Sequence, residues 1–254
     1  MELADFSTVS PWLYVLAPVV IVIAYTVFGL SGFGSTVISV PILAHFLPVS
    51  YLVPLMALLD LVSASIMGTA GRKQISRAEM KRIIPFMFVG FVVGATLLVK
   101  VPDEYLRIAL GLFAMAVGVY SIVNPGMTRA ISAWWSIPVG IVGGAVATVF
   151  GAGGPVYASY LAGRLDDKTV IRSTMSALIS VSAFTRALVY AVTGLMLHVA
   201  ILAGLAVLWP FVWMGLRIGH RIHVGLTQKQ MRRAIGCMLL VTGGSLVVRI
   251  FFPH

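Results

Sequence analysis

Charge is what this chain has least of. Only 10% of its 254 residues are Asp, Glu, Lys or Arg, and just 8 of them are acidic. No polar stretch is long enough to form a water-soluble domain, which excludes a soluble enzyme or binding module. Cysteine is limited to Cys237, so an intrachain disulfide, a CxxC redox pair and a four-cysteine zinc site are all ruled out. Alone in an apolar run, Cys237 reads as a small buried hydrophobe. There is no Gly-x-x-x-x-Gly-Lys phosphate loop, so any ATP would have to act through a partner. The opening MELADFSTVSPW carries Glu2 and Asp5 where a secretory signal would carry basic residues, and the first apolar segment is therefore expected to stay in the mature protein. The net charge of +10 comes without an aromatic-interleaved basic face, so nucleic acid is not an expected partner.

What is present is apolar. Hydrophobic residues make up 59% of the chain and the mean hydropathy is +1.01, the composition of an all-α integral membrane protein with the lipid bilayer as its main partner. A bilayer core of about 30 Å takes about 20 helical residues to cross. Apolar runs lie near 11–47, 49–70, 83–100, 104–123, 133–163, 168–194, 196–216 and 230–252. Two of them, 11–47 and 133–163, are too long for one crossing. Each holds a glycine cluster near its middle, GLSGFGS at 29–35 and FGAGG at 150–154. The stretches GFGSTVISVP from Gly32 and GAGGPVYASY from Gly151 share a GxG start and the same place within their halves, so the chain divides into two repeats, 1–128 and 129–254.

The basic clusters are Arg72, Lys73, Arg77, Lys81 and Arg82 in one loop and Arg221, Lys229, Arg232 and Arg233 in another. Single crossings throughout would put these clusters on opposite sides of the membrane, against the positive-inside bias. If 133–163 instead dips in and returns, four crossings separate them and both face the cytoplasm, joined there by Arg129, Arg164 and Lys168. The preferred reading is a polytopic helical bundle of two pseudo-symmetric repeats in opposite orientation, each beginning with a broken or re-entrant helix, in the inner membrane.

Non-helical backbone at membrane depth survives only where protein or a water-filled cavity covers it. Beyond the second break Pro155 suits the first residue of a new helix. Beyond the first, Ser35 and Thr36 can cap the start with their hydroxyls. Helix starts expose free N–H groups and a positive dipole end, which favour an anion. Two such starts facing a shared midplane cavity form the layout of a secondary transporter. Gly32, Gly34, Ser35, Thr36, Gly151, Gly153, Gly154 and Pro155 are the candidate binding residues from the breaks. The competing reading is that these glycines only allow close helix packing.

The segments GFGSTVISVPIL, GAGGPVYASYL and KTVIRSTMSALISVSAFTRALVYAVTGL resemble the two signature regions of the TauE/SafE family of membrane transporters. The second half is the more specific, with its glycine-rich break, Pro155, Tyr160-Leu161, and Arg172 and Arg186 at the family's spacing. The resemblance implies two repeats and transport of sulfite, organosulfonates and related sulfur oxyanions. Ser35 stands where the first signature commonly has a further glycine.

Arg186 lies within the 168–194 span, roughly 12 Å from its Gly194 end. A charge at that depth usually faces a cavity or a partner. At 100° per residue Arg172, Ser176, Ala183, Arg186 and Tyr190 make one polar stripe on an otherwise apolar helix, adding Arg172, Ser176, Arg186 and Tyr190 to the candidates. Arg172, nearer the helix end, is equally suited to anchoring at the interface. Asp60 is the only acid well inside a span, on a face shared with Val53, Met56, Ala57, Ser63, Ala64 and Met67. It is a candidate either for ion pairing with Arg186 or for coupling through protonation.

His220 and His223 have a helical metal-site spacing but sit in a basic loop and suit the lipid interface. His45 and His198 stand alone near segment ends and read as structural, and Trp134, Trp135, Trp209 and Trp213 suit an aromatic belt or core packing. The leading expectation is a secondary transporter of a small sulfur-containing anion, with no metal or cofactor and no enzymatic activity. A coupling proton or sodium ion and a homodimer are compatible with it. The alternatives are a membrane subunit of a transport or sensing complex, and an intramembrane serine enzyme built on Ser35 with His45 or His198.

Overall fold

The computed structural model describes residues 12–31, 34–67, 74–123, 131–192, 194, 199–221 and 228–251. Gly32, His198 and His223 lie outside them, as do the side chains of Arg172 and His220. Among the described residues ten α-helices follow one another: α1 (Leu13–Ser31), α2 (Ser35–Leu43), α3 (Val49–Met67), α4 (Arg77–Lys100), α5 (Asp103–Val123), α6 (Ser136–Phe150), α7 (Gly154–Arg164), α8 (Lys168–Val192), α9 (Val199–Arg221) and α10 (Gln228–Phe251), with a 3-10 turn at Ala133–Trp135 before α6. No strand occurs among the described residues. Six helical segments there are long and apolar enough to cross a membrane. Large apolar side chains such as Val15, Val19 and Ile23 on α1 and Phe88, Val92 and Val99 on α4 are exposed, as lipid requires and water would not tolerate. The protein is an all-α, multi-pass membrane protein.

The helix ends differ from the sequence reading in one respect. Arg77, Lys81 and Arg82 are not in a loop but on the first turns of α4, because a helix continues past the edge of the apolar zone until its backbone meets a stop. Likewise Arg221 ends α9, and Lys229, Arg232 and Arg233 open α10. Before α8, the Asp167 carboxylate accepts the Thr169 N–H at 2.7 Å, a bond that holds its pKa below the usual carboxylate value.

Packing follows a regular scheme. Helix α1 lies against α9 and α6 against α4, α5 pairs with α10, and α3 meets α8 at the centre. Two of these seams close on glycine: between α5 and α10 a Cβ on Gly118 would lie 2.8 Å from the Gly236 carbonyl and one on Gly111 2.9 Å from that of Gly243, and between α1 and α9 one on Gly29 would lie 3.3 Å from the Gly219 Cα. Small residues let backbones approach where lipid offers no hydrophobic drive for association. Close packing is therefore the role of the glycines inside the long helices.

The glycines of the two breaks act differently. Gly34 (φ 106°) and Gly151 (φ 71°) sit in the left-handed region that favours glycine. Beyond the second break the chain turns back: the Ile131 N–H donates to the Gly163 carbonyl at 2.9 Å, and Arg164 Nη1 donates to the Ile131 carbonyl at 3.1 Å. Residues 131 and 163 thus stand side by side while the break at 151–153 lies at the far end of α6. Segment 131–164 is a hairpin whose two ends lie together.

Candidate functional site

The two breaks meet. A Cβ on Gly151 would collide with Thr36 Cγ2 and stand 3.3 Å from Arg186 Nη1, so the start of α2, the bend before α7 and the middle of α8 converge on one point. Asp60 reaches it from α3, Tyr25 from α1. Thr36, Asp60, Gly151 and Arg186 line a cavity of about 20 Å³, room for one or two waters, and Tyr25 meets it only through Asp60.

Asp60 is the electrostatic hub and is 3% exposed. Its Oδ1 accepts the hydroxyls of Tyr25 and Ser35, each at 2.8 Å, and its Oδ2 accepts Thr36 Oγ1 at 3.0 Å and Arg186 Nη2 at 3.2 Å. Arg186 Nη1 donates to the Ala147 carbonyl at 3.1 Å, near the C-terminal end of α6, sharing it with the Gly151 N–H at 2.9 Å. Two charges this deep are tolerable only as a pair with their remaining groups satisfied. One group is not satisfied. Arg186 Nε is buried without a hydrogen-bond partner, and so is the Tyr157 hydroxyl. A buried donor left unmade costs about 1–3 kcal/mol, more on a charged group, and both of these donors belong to residues lining one cavity.

Gly34, Ser35, Thr36, Gly151, Gly153, Gly154 and Arg186 all line the cavity. Ser176 and Tyr190 do not. The Ser176 carbonyl accepts the Ser180 hydroxyl, and the Tyr190 hydroxyl donates to the Thr148 carbonyl in the core. Pro155 is the second residue of α7, one place later than expected, after Gly154. The Ser35 and Thr36 hydroxyls do not cap α2: Gly34 is the N-cap, without a side-chain cap bond, and both hydroxyls are drawn to Asp60 instead. Each hydroxyl donates to the charged carboxylate, a stronger bond than a neutral one, instead of accepting a helix-start N–H as a cap would. Gly153 has an ordinary helical φ of −66°. What demands glycine there is crowding, since a Cβ would stand 2.7 Å from the Gly143 carbonyl and 2.8 Å from Ala147 Cβ.

The sequence reading passed over Tyr25, Tyr157 and Ser182, which complete the site. Tyr157 lies inside the quoted GAGGPVYASY stretch, six residues after Gly151; its position near the α7 start was a usable signal. Nothing in the sequence marked Tyr25. Ser35 and His45 do not form a dyad: His45 Nδ1 bonds the Pro41 carbonyl at 2.9 Å and its Nε2 meets Ser245 Oγ at 3.1 Å. Cys237 is exposed on α10 rather than buried, because lipid accepts an apolar side chain as readily as a core does. The four tryptophans named above are exposed as well. No group of three or more His, Cys, Asp or Glu side chains that could hold a metal occurs among the described residues.

Comparison with known proteins agrees with this picture of a membrane carrier. A family model described as "Sulfite exporter TauE/SafE" matches residues 17–246. A protein of Comamonas testosteroni described as "Probable inner membrane transporter protein TsaS" is 25% identical over 199 residues, covering 78% of this chain and 83% of that one. No solved structure matches.

Proposed function

This chain belongs to the sulfite exporter TauE/SafE family, a membrane transporter and not an enzyme, and from that premise we propose that it moves a small sulfur-containing anion, sulfite or an organosulfonate, across the inner membrane. The anion binds in the cavity between the two breaks, which opens to each side in turn. One observation carries this reading: two buried donors without partners, Arg186 Nε and the Tyr157 hydroxyl, line the same cavity. A guanidinium and a phenol suit an oxyanion, and the starts of α2 and α7 add the positive ends of two helix dipoles.

The site offers donors and little else. Its one carboxylate already accepts four hydrogen bonds, so no charged acceptor remains for an ammonium group. A zwitterion such as taurine would lose the hydration of its amine without replacement, and compact oxyanions are preferred. Asp60 is the group through which a coupling proton would act, since protonation rather than a new ligand would release its donors. The pairing of α1 with α9 and of α6 with α4 supports two repeats, 1–128 and 129–254, related by a pseudo-two-fold axis through the α3–α8 and α5–α10 contacts. With the hairpin adding no crossing, the basic clusters fall on one side, the cytoplasm.

The test is binding to purified protein of sulfite, thiosulfate, sulfoacetate, sulfate and taurine. Sulfite or a sulfonate should bind saturably, and taurine more weakly by about tenfold or more. If no sulfur oxyanion binds, the assignment fails.

A further inference from the structure

We infer that two ion-pair clusters, Glu79 with Arg164 and Asp103 with Arg107, are the latches that close the central cavity toward the two faces of the membrane. They stand at opposite ends of α4: Glu79 is in its first turn and Asp103 follows its last residue by three positions, with 24 helical residues, about 36 Å, between the ends.

Each latch holds the far end of a short helix whose near end forms the cavity. Tyr157, Tyr160 and Arg164 share one face of α7 at spacings of three and four. Tyr157 lines the cavity, whereas the Tyr160 hydroxyl donates to Glu79 Oε2 at 2.7 Å and Arg164 Nη2 to Glu79 Oε1 at 3.0 Å. Arg82 adds a third donor to Glu79 at 2.8 Å. Thr36, Val40 and Ala44 repeat the arrangement on α2 at spacings of four. Thr36 lines the cavity, and the Ala44 carbonyl accepts Arg107 Nη1 at 2.7 Å. Arg107 is paired in turn with Asp103 at 2.7 Å, whose other oxygen accepts the Val49 N–H at 2.8 Å.

Hydration separates these pairs from a static staple. The central Arg186–Asp60 pair has side chains 2% and 3% exposed, whereas in each outer cluster a partner reaches solvent: Arg164 is 26% exposed over a Glu79 that is 4% exposed and keeps the Tyr160 and Arg82 donors, and Arg107 and Asp103 are 27% and 29% exposed. A pair within reach of water can exchange its partner for solvent at small cost, while a dry one cannot. A short helix pivoting at a glycine bend is the element such an exchange would free. With both latches made, as here, the far ends of α2 and α7 are held.

The test needs no substrate. In a Cys237→Ser background, Ser182→Cys places a reporter thiol at the cavity wall, and a membrane-impermeant thiol reagent is applied to right-side-out and inverted vesicles. The parent should label slowly from both faces. Glu79→Gln should speed labelling by about fivefold or more from the face that carries Gln74, and Asp103→Asn by a similar factor from the opposite face alone. Equal acceleration from both faces, acceleration of both variants from the same face, or no change in either overturns the proposal. Failure of sulfite to bind would leave these rates unaffected, so the latch assignment and the substrate assignment stand or fall separately.

Discussion

Arg186 of α8 and Asp60 of α3, 126 positions apart in the chain, meet at 3.2 Å with almost no exposure to solvent. Removing one partner strands the other charge. Asp60→Asn should therefore lower stability by about 3–5 kcal/mol, whereas Asp60→Leu combined with Arg186→Met should recover most of that loss. Thermal melts in detergent separate the two outcomes, and a single Asn variant melting like the parent would show that the pair does not hold α3 to α8.

Arg186→Lys tests the site rather than the fold. The ammonium can retain Asp60 but cannot also span to Ala147 and leave a third N–H for the cavity. The variant should stay monodisperse while sulfite uptake into proteoliposomes falls by more than about tenfold. Unchanged uptake would remove Arg186 from the binding site.

Two tyrosines at the same depth should behave differently. The Tyr25 hydroxyl donates to Asp60, but that of Tyr157 has no partner. Tyr25→Phe should lower the melting temperature through loss of a charge-assisted bond of about 1.5–3 kcal/mol. Tyr157→Phe should leave stability unchanged or slightly raised and weaken anion binding. The prediction is the contrast, read from melting curves and binding isotherms on the two variants side by side.

Gly151→Ala combines a left-handed backbone with a collision at Thr36, and about 1–2 kcal/mol of conformational strain adds to the steric term. Gly153→Val fails for crowding alone. Both should abolish transport, and full activity in either would mean that the bend can relax without disturbing the cavity.

For the topology, cysteines placed at Gln74 and Gln228 should both react with an impermeant reagent only from the cytoplasm. Reaction from opposite faces would contradict the placement of the basic clusters.

Much of this was legible in the sequence, for reasons that can be named. The breaks were visible because glycine clusters inside overlong apolar runs conflict with a continuous span. Asp60 and Arg186 stood out because charge in hydrocarbon is costly. The fate of the Ser35 and Thr36 hydroxyls was not legible. Their local chemistry favours accepting a backbone N–H as a cap, and only the approach of α3 brings a carboxylate to which they donate instead. Tyr25 was hidden for the same reason, since an aromatic residue on an apolar helix looks alike whether it faces a lipid chain or a carboxylate 35 positions away. Gly153 lines the cavity, and its need for glycine comes from crowding at an ordinary helical φ, which no local pattern displays.

The bond between Ile131 and Gly163 bears on how the chain is first threaded into the bilayer. Helix α7, with 11 residues ending in arginine, is too short and too polar to partition into lipid unaided. The expected order is therefore that α4 and α8 insert first and the hairpin tip enters against them afterwards. Truncation before residue 192 should leave the segment at the membrane surface, open to protease.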